Sequence, residues 1–107
     1  MRIRWSSFVI AALVSYSTIE AADRSVEPIV SRIHRDPIES SALAGVGYSR
    51  RLHALEIEFR DGLIYRYEEV PLSVYRELVS AFSKARFYNQ NIRGRYHCLR
   101  VKPARRR

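Results

Sequence analysis

The side chains able to do acid–base or nucleophilic chemistry are few and scattered. His34, His53 and His97 lie far apart, and the one cysteine, Cys98, directly follows His97. Neighbours on a strand face opposite ways, so His97 and Cys98 cannot act as base and nucleophile. Cys98 then reads as a small apolar packing residue. One cysteine excludes an internal disulfide and a cysteine metal cluster. No metal-ligand spacing and no glycine-rich phosphate loop occurs. Asp61 stands in an Asp-Gly turn, where its carboxylate serves the backbone. The expectation is therefore no catalytic residue, no metal, no cofactor and no small-molecule substrate: a protein that is not an enzyme.

The chemistry the sequence does support is anion recognition. Nineteen Lys and Arg stand against eleven Asp and Glu, a formal charge of +8. The excess is one-sided. Residues 38–77 carry five Arg and seven acids, whereas the thirty residues after Glu77 carry nine cations and no acid. Such asymmetry makes a field that attracts phosphate, acidic lipid or acidic protein. Seventeen of the cations are Arg, whose planar fork suits phosphate and carboxylate. Lys84, Arg86, Arg93, Arg95 and Arg100, with Tyr88 and Tyr96 interleaved, form the candidate anion- or nucleic-acid-binding set. A solvated, solubilising tail is the plainer reading of the same charges. Asn89 and Asn91 can hydrogen-bond a base, although capping and turn bonds are commoner for Asn at such positions.

These residues need elements to hold them. Ala42 to Tyr48 is a short strand weakened by Gly45 and Gly47. Leu55, Ile57 and Phe59 alternate with charged residues, the period of a strand with one buried face. After Asp61-Gly62, Leu63, Tyr65 and Tyr67 alternate in the same way. A two-residue loop would set Ile57 beside Arg66. A three-residue loop, Arg60 to Gly62, pairs Phe59 with Leu63, Ile57 with Tyr65, and Leu55 with Tyr67, and keeps one face apolar. Gly62 then takes the left-handed conformation that such loops require. This register places Tyr65 and Tyr67 over the core, although aromatics on a sheet can also stack bases. Arg66 falls on the other face with Glu56 and Glu58, as an exposed ion pair.

Pro71 opens a helix whose apolar stripe is Leu72, Tyr75, Leu78, Val79 and Phe82. Ser83 caps a second short helix running to about Asn91. Tyr96 to Val101 is a last strand. The predicted fold is α+β: a small antiparallel sheet of three to four strands with two short helices packed on one face.

The N-terminus reads as an export signal. Arg2 and Arg4 precede an uncharged run from Trp5 to Ile19, with an apolar core from Phe8 to Val14, and Ala21 and Ala22 follow. This is the order of a secretory signal peptide, and a stretch too short for the roughly 20 apolar residues of a membrane span. Cleavage after Ala21 puts Ile19 at the third position before the cut; cleavage after Ala22 would put Glu20 there. Removing residues 1–21 takes away Arg2, Arg4 and Glu20 and leaves the chain at 8 − 2 + 1 = +7. Residues 22–37 mix charges with Pro28 and Pro37 and read as a linker. The expected organisation is thus a signal peptide over 1–21, a linker over 22–37, a domain over 38–101 and a basic tail over 102–107.

Within that domain an ordered series stands out: Ser40-Ser41, Gly47-Tyr48, Phe59-Arg60-Asp61-Gly62, Tyr65-Arg66-Tyr67, Val70-Pro71, Val74-Tyr75, Phe87-Tyr88-Asn89 and Ile92 to Tyr96. The series resembles the KTSC domain, a module found at the C-terminus of some lysyl-tRNA synthetases and as small stand-alone bacterial proteins. The resemblance covers residues 38–101 and implies RNA binding through the synthetase association, a fold-level analogy. An exported protein seldom meets cellular RNA. The first functional expectation is therefore a periplasmic or secreted binding module, not an integral membrane protein, that engages an acidic protein or an anionic envelope surface through its Arg-rich C-terminal half. The alternative is an RNA-binding module.

Overall fold

The computed structural model describes residues 27–103. The expected signal peptide, residues 22–26 of the expected linker, and residues 104–107 of the basic tail lie outside the described residues.

Five antiparallel strands form one sheet in chain order: β1 (Asp36–Pro37), β2 (Leu43–Ser49), β3 (Ala54–Phe59), β4 (Ile64–Tyr67) and β5 (Cys98–Val101). Two helices, α1 (Leu72–Ser80) and α2 (Lys84–Asn91), lie between β4 and β5. The α+β expectation holds, but the strand count is five. The added strand is β1, two residues long, pairing Asp36 with Val46 and Pro37 with Gly45.

The β3–β4 hairpin has the register argued from its side chains. Leu55 faces Tyr67, Ile57 faces Tyr65, and the Phe59 N–H donates to the Leu63 carbonyl at 2.8 Å. Gly62 closes the loop at φ +94°, the left-handed region that glycine enters without a Cβ penalty. One sheet face carries Val46, Leu55, Ile57 and Tyr67, all buried, and meets Val70, Leu78 and Ile92. Helix α1 starts at Leu72 with Pro71 at its N-cap, and stops at Ser80 because Ala81 turns extended (ψ 142°). That turn takes Phe82 off the expected apolar stripe, and Phe82 is fully exposed. Ser83 caps α2 as expected, accepting from the Arg86 N–H at 3.3 Å. Such a cap is worth about 1 kcal/mol.

The second sheet face is not open. Ile29 bridges Val101 at the free edge of β5, with its N–H on the Arg100 carbonyl (2.8 Å) and its carbonyl accepting from the Lys102 N–H (2.7 Å). Seven residues later Asp36 pairs on β2 at the opposite edge. Residues 29–36 must therefore cross the sheet. Five inter-strand steps are about 24 Å, and seven residues of strand span about 23 Å, so this strap is nearly fully extended. Its burial alternates accordingly: Ile29, Ser31, Ile33 and Arg35 are half-buried, and Val30, Arg32 and His34 are exposed. From Ile29 onward the expected linker is thus a packed segment with period two, a periodicity obscured in the sequence by Ser31 and Arg35 at inward positions.

The strap passes where β2 has no side chain. A Cβ on Gly47 would lie 2.0 Å from the His34 carbonyl oxygen, well inside contact distance. Beneath the strap, Ile64, Val101 and Ala54 are buried, and so is Glu56. The expected exposed pairing of Arg66 with Glu56 and Glu58 is corrected on this point. Glu56 is 0% exposed because the strap lies over it.

Candidate anion-binding surface

Helix α2, the turn after it and β5 carry the predicted site. Ile92 closes α2 as its C-cap and is fully buried, which pins the turn to the core. Gly94 (φ +74°) lets the chain reverse. Arg93 and Arg95 fold back on the helix end: Arg93 Nη1 donates to Asn89 Oδ1 at 3.4 Å, and Arg95 Nε donates to the Gln90 carbonyl at 3.1 Å. A helix C-terminus carries partial negative charge, which favours cations there. Asn91 spends its amide on the Phe87 carbonyl at 3.2 Å, a helix-end bond.

The seven predicted residues divide into two groups. Arg86, Arg93, Arg95 and Arg100 are exposed. Lys84, Tyr88 and Tyr96 are half-buried and serve the fold. Lys84 Nζ donates to the Ala81 carbonyl at 3.1 Å. The Tyr88 hydroxyl meets the Tyr67 hydroxyl at 2.7 Å, and its ring stands edge-on to Phe59 (centroids 5.2 Å apart) and to Tyr67 (6.0 Å). Burial first, and then the bond to Tyr88, push the Tyr67 phenol well above its ordinary pKa. Both central tyrosines sit on the helix-covered face; Tyr67 is buried and Tyr65 half-buried. Cys98, expected to pack as an apolar residue, is exposed instead, at the start of β5 opposite Tyr67.

Two features were missed by residue reading. One is a groove of about 330 Å³ between the β3–β4 turn and α2. Phe59, Tyr65 and Tyr88 wall it, and Asp61, Asn89 and Arg93 stand at its rim. The signal was present: the hairpin register already placed Phe59 and Tyr65 on the face that α2 covers. The other is the group beneath the strap. Arg35 Nη1 donates to Glu56 Oε1 at 2.8 Å, and Arg66 Nε donates to Glu56 Oε2 at 2.9 Å. The Ser31 hydroxyl donates to Oε2 as well and accepts from Arg66 Nη2 at 3.0 Å. Arg35 Nε also reaches Glu58, at 3.4 Å. Two guanidiniums against two carboxylates leave this group neutral, so it offers no net charge to a ligand.

A larger, shallow opening of about 810 Å³ lies between the β2–β3 turn and the β4–α1 connection. Two bonds of the fold cross it: the Tyr48 hydroxyl donates to the Val70 carbonyl, and the Val70 N–H donates to the His53 carbonyl at 2.9 Å; Arg50, His53 and Glu69 also line it. The three histidines occupy the strap, the β2–β3 turn and the approach to β5. Among the described residues no group of three or more His, Cys, Asp or Glu is placed to hold a metal ion.

A meander sheet with two helices on one face, a strap on the other and a cationic C-terminal flank defines a small α+β module. Comparison with known proteins gives it a family. The KTSC domain matches residues 39–96, more than half of the chain, and the protein belongs to the KTSC domain family. An uncharacterized protein of Stutzerimonas stutzeri is 43% identical over 56 residues, covering 52% of this chain and 79% of that one. The lysine–tRNA ligase of Nostoc punctiforme is 36% identical over 58 residues, 54% of this chain but 10% of the ligase. A crystal structure of a KTSC domain protein from Yersinia pestis superposes with a TM-score of 0.63 at 35% identity, covering 66% of this chain and all of that one. The matched segment begins after the strap, at residue 39.

Proposed function

We propose that this protein is a small exported binding module, without catalytic activity, that engages an anionic partner through the Arg-rich flank formed by α2, the turn after it and β5. One observation carries the reading. Every ion pair among the described residues belongs to the strap region (His34, Arg35, Arg66) or to His97 with Glu68. Arg86, Arg93, Arg95, Arg100 and Lys102 have no carboxylate partner there. Unneutralised guanidiniums on one flank set up a field that draws in and orients an anion. The export half of the reading rests on the basic, apolar and small-residue order of residues 1–22.

A nucleic-acid partner is the second reading. It is favoured by the kinship with a segment of lysine–tRNA ligases, whose name ties them to tRNA. The two readings separate in one experiment. Binding of the natural chain to poly-glutamate and to single-stranded RNA is measured across a salt series, alongside mass spectrometry of its N-terminus. The first reading expects a chain starting at Ala22 that binds both polymers. Arg86→Ala/Arg93→Ala/Arg95→Ala should then lower the salt slope on RNA by about 2, from roughly 0.7 per phosphate contact. An intact Met1 end with RNA binding alone would replace the first reading by the second. Absence of binding to either polymer at low salt would overturn both.

A further inference from the structure

The groove beside α2 has a shape and chemistry that the cationic flank alone does not need. Its walls are three aromatic rings with Ala42, Leu63 and Ala85 between them. Phe59 stands edge-on to both Tyr65 (6.2 Å, 73°) and Tyr88 (5.2 Å, 70°), so the three rings hold one another in place. Its rim mixes hydrogen-bonding types. Asp61 Oδ1 accepts from the Leu63 N–H at 3.0 Å, which fixes the carboxylate and leaves its other oxygen as an acceptor. Asn89 supplies an amide, held by Arg93 at 3.4 Å. Arg93 itself brings a positive charge, and Arg86 lies one helical turn before Asn89 on the same side of α2. At about 330 Å³ the groove is at the small end of ligand sites, room for one ring system and its sugar.

An aliphatic peptide would leave the acceptor and amide at the rim unused, and a bare anion would leave the aromatic walls unused. A planar ring with donors on its edge and an anionic group a few bonds away uses all of them. We infer that this groove holds a nucleotide, its base against Phe59, Tyr65 and Tyr88, its edge on Asp61 and Asn89, and its phosphate on Arg93. This rests on the proposed anionic partner and names its chemical class. A free nucleotide and one nucleotide of a single strand present the same groups.

The test is an amide-resolved NMR titration of the natural chain with 5′-GMP, 5′-AMP, ribose 5-phosphate, inorganic phosphate and a six-nucleotide RNA. The inference expects shifts at Phe59, Asp61, Leu63, Tyr65 and Asn89 with the nucleotides. It expects ribose 5-phosphate to bind about five- to a hundredfold more weakly, the range that base stacking on an aromatic side chain supplies. Asn89→Ala and Arg93→Ala, both exposed and checked for an unchanged melting curve, should each weaken the nucleotide by about tenfold. RNA binding much tighter than GMP assigns the ligand to a strand; equal binding assigns it to the free nucleotide. Equal binding of ribose 5-phosphate and GMP overturns the inference. So does RNA binding that shifts Arg86, Arg95 and Arg100 but none of the groove residues, and in that case the cationic flank stands without it. No binding of any of the five ligands overturns the inference as well, and the cationic flank falls with it only where poly-glutamate is not bound either.

Discussion

Arg35 and Arg66, under the strap, are each 16% exposed and converge on one fully buried carboxylate, Glu56. Arg86, Arg93, Arg95 and Arg100, in the C-terminal half, are exposed and meet no carboxylate among the described residues. The residue type is the same in both places, and its use is opposite. Under the strap, arginine closes a structure, because most of its surface is buried and each guanidinium donates to the buried Glu56 carboxylate. On the C-terminal flank its forks stay in water, available to a partner. Net charge does not distinguish these cases, nor does the local supply of acids alone, since Arg50, Arg51, Arg60 and Arg76 lie in the acid-rich stretch and form no ion pair among the described residues; burial by the strap does. Seven acids accompany five Arg between residues 38 and 77, and no acid follows Glu77.

The largest expected effect comes from breaking the closed side. Glu56→Ala leaves Arg35 and Arg66 facing each other under the strap without their shared carboxylate. Removing one partner of a buried ion pair costs about 3–5 kcal/mol. A domain of this kind has about 5–15 kcal/mol in total, so urea unfolding should show a midpoint lowered by about a fifth or more. Replacing both partners by apolar residues, Glu56→Leu with Arg66→Met, should recover much of that loss, since the desolvation cost disappears with the charges. Arg35 keeps Glu58 in that variant. A loss below about 1 kcal/mol in Glu56→Ala would place the pair in the range of solvated surface pairs, and the contrast between the two sides would collapse.

The next effect is steric. Gly47→Ala puts a methyl group where the His34 carbonyl oxygen lies, 2.0 Å from the new atom. Backbone cannot yield as a side-chain tip does, and a strap this extended has no slack. Forced overpacking costs about 1–3 kcal/mol. The measurable sign is local: hydrogen exchange at the Ile29 and Lys102 amides, which tie the strap to β5, should speed up more than exchange in β3. Uniform acceleration would mean that the strap and the sheet open as one unit and that the strap is not a separable cover.

How much of this was legible follows from locality. The β3–β4 register was readable because it is a local contest, one loop residue more or less, with an apolar face as the arbiter. Ser83 and Gly62 were readable because cap and turn chemistry act over three residues. β1 and the strap were not, because their structure is imposed from a distance. Ile29 is held by β5, some seventy residues on, and Asp36 by β2 across a loop. Polar residues face inward there because Glu56 waits beneath them, and Glu56 read as a solvated strand residue for the same reason. Phe82 was misplaced by the opposite error: its spacing fits the helix, but Ala81 ends the helix first. The basic flank was legible as charge, while its groove needed the hairpin and α2 to meet.

The smallest expected effect on stability is on the open side, and its smallness is the point. Arg93 and Arg95 bond only to Asn89 and a carbonyl at the end of α2, and Arg86 is exposed on the helix surface. Surface substitutions of this kind stay within about 0.5 kcal/mol each. The two turn arginines also face the helix C-terminus, an interaction of about 0.3–1 kcal/mol that salt screens. Arg86→Ala/Arg93→Ala/Arg95→Ala should therefore lose about 1 kcal/mol at low ionic strength and less at 0.5 M salt, far below Glu56→Ala. The same triple variant should lose most of its affinity for anions. A triple variant as unstable as Glu56→Ala would make these arginines structural after all, with partners supplied from outside the described residues. The two sides would then differ in burial and not in purpose.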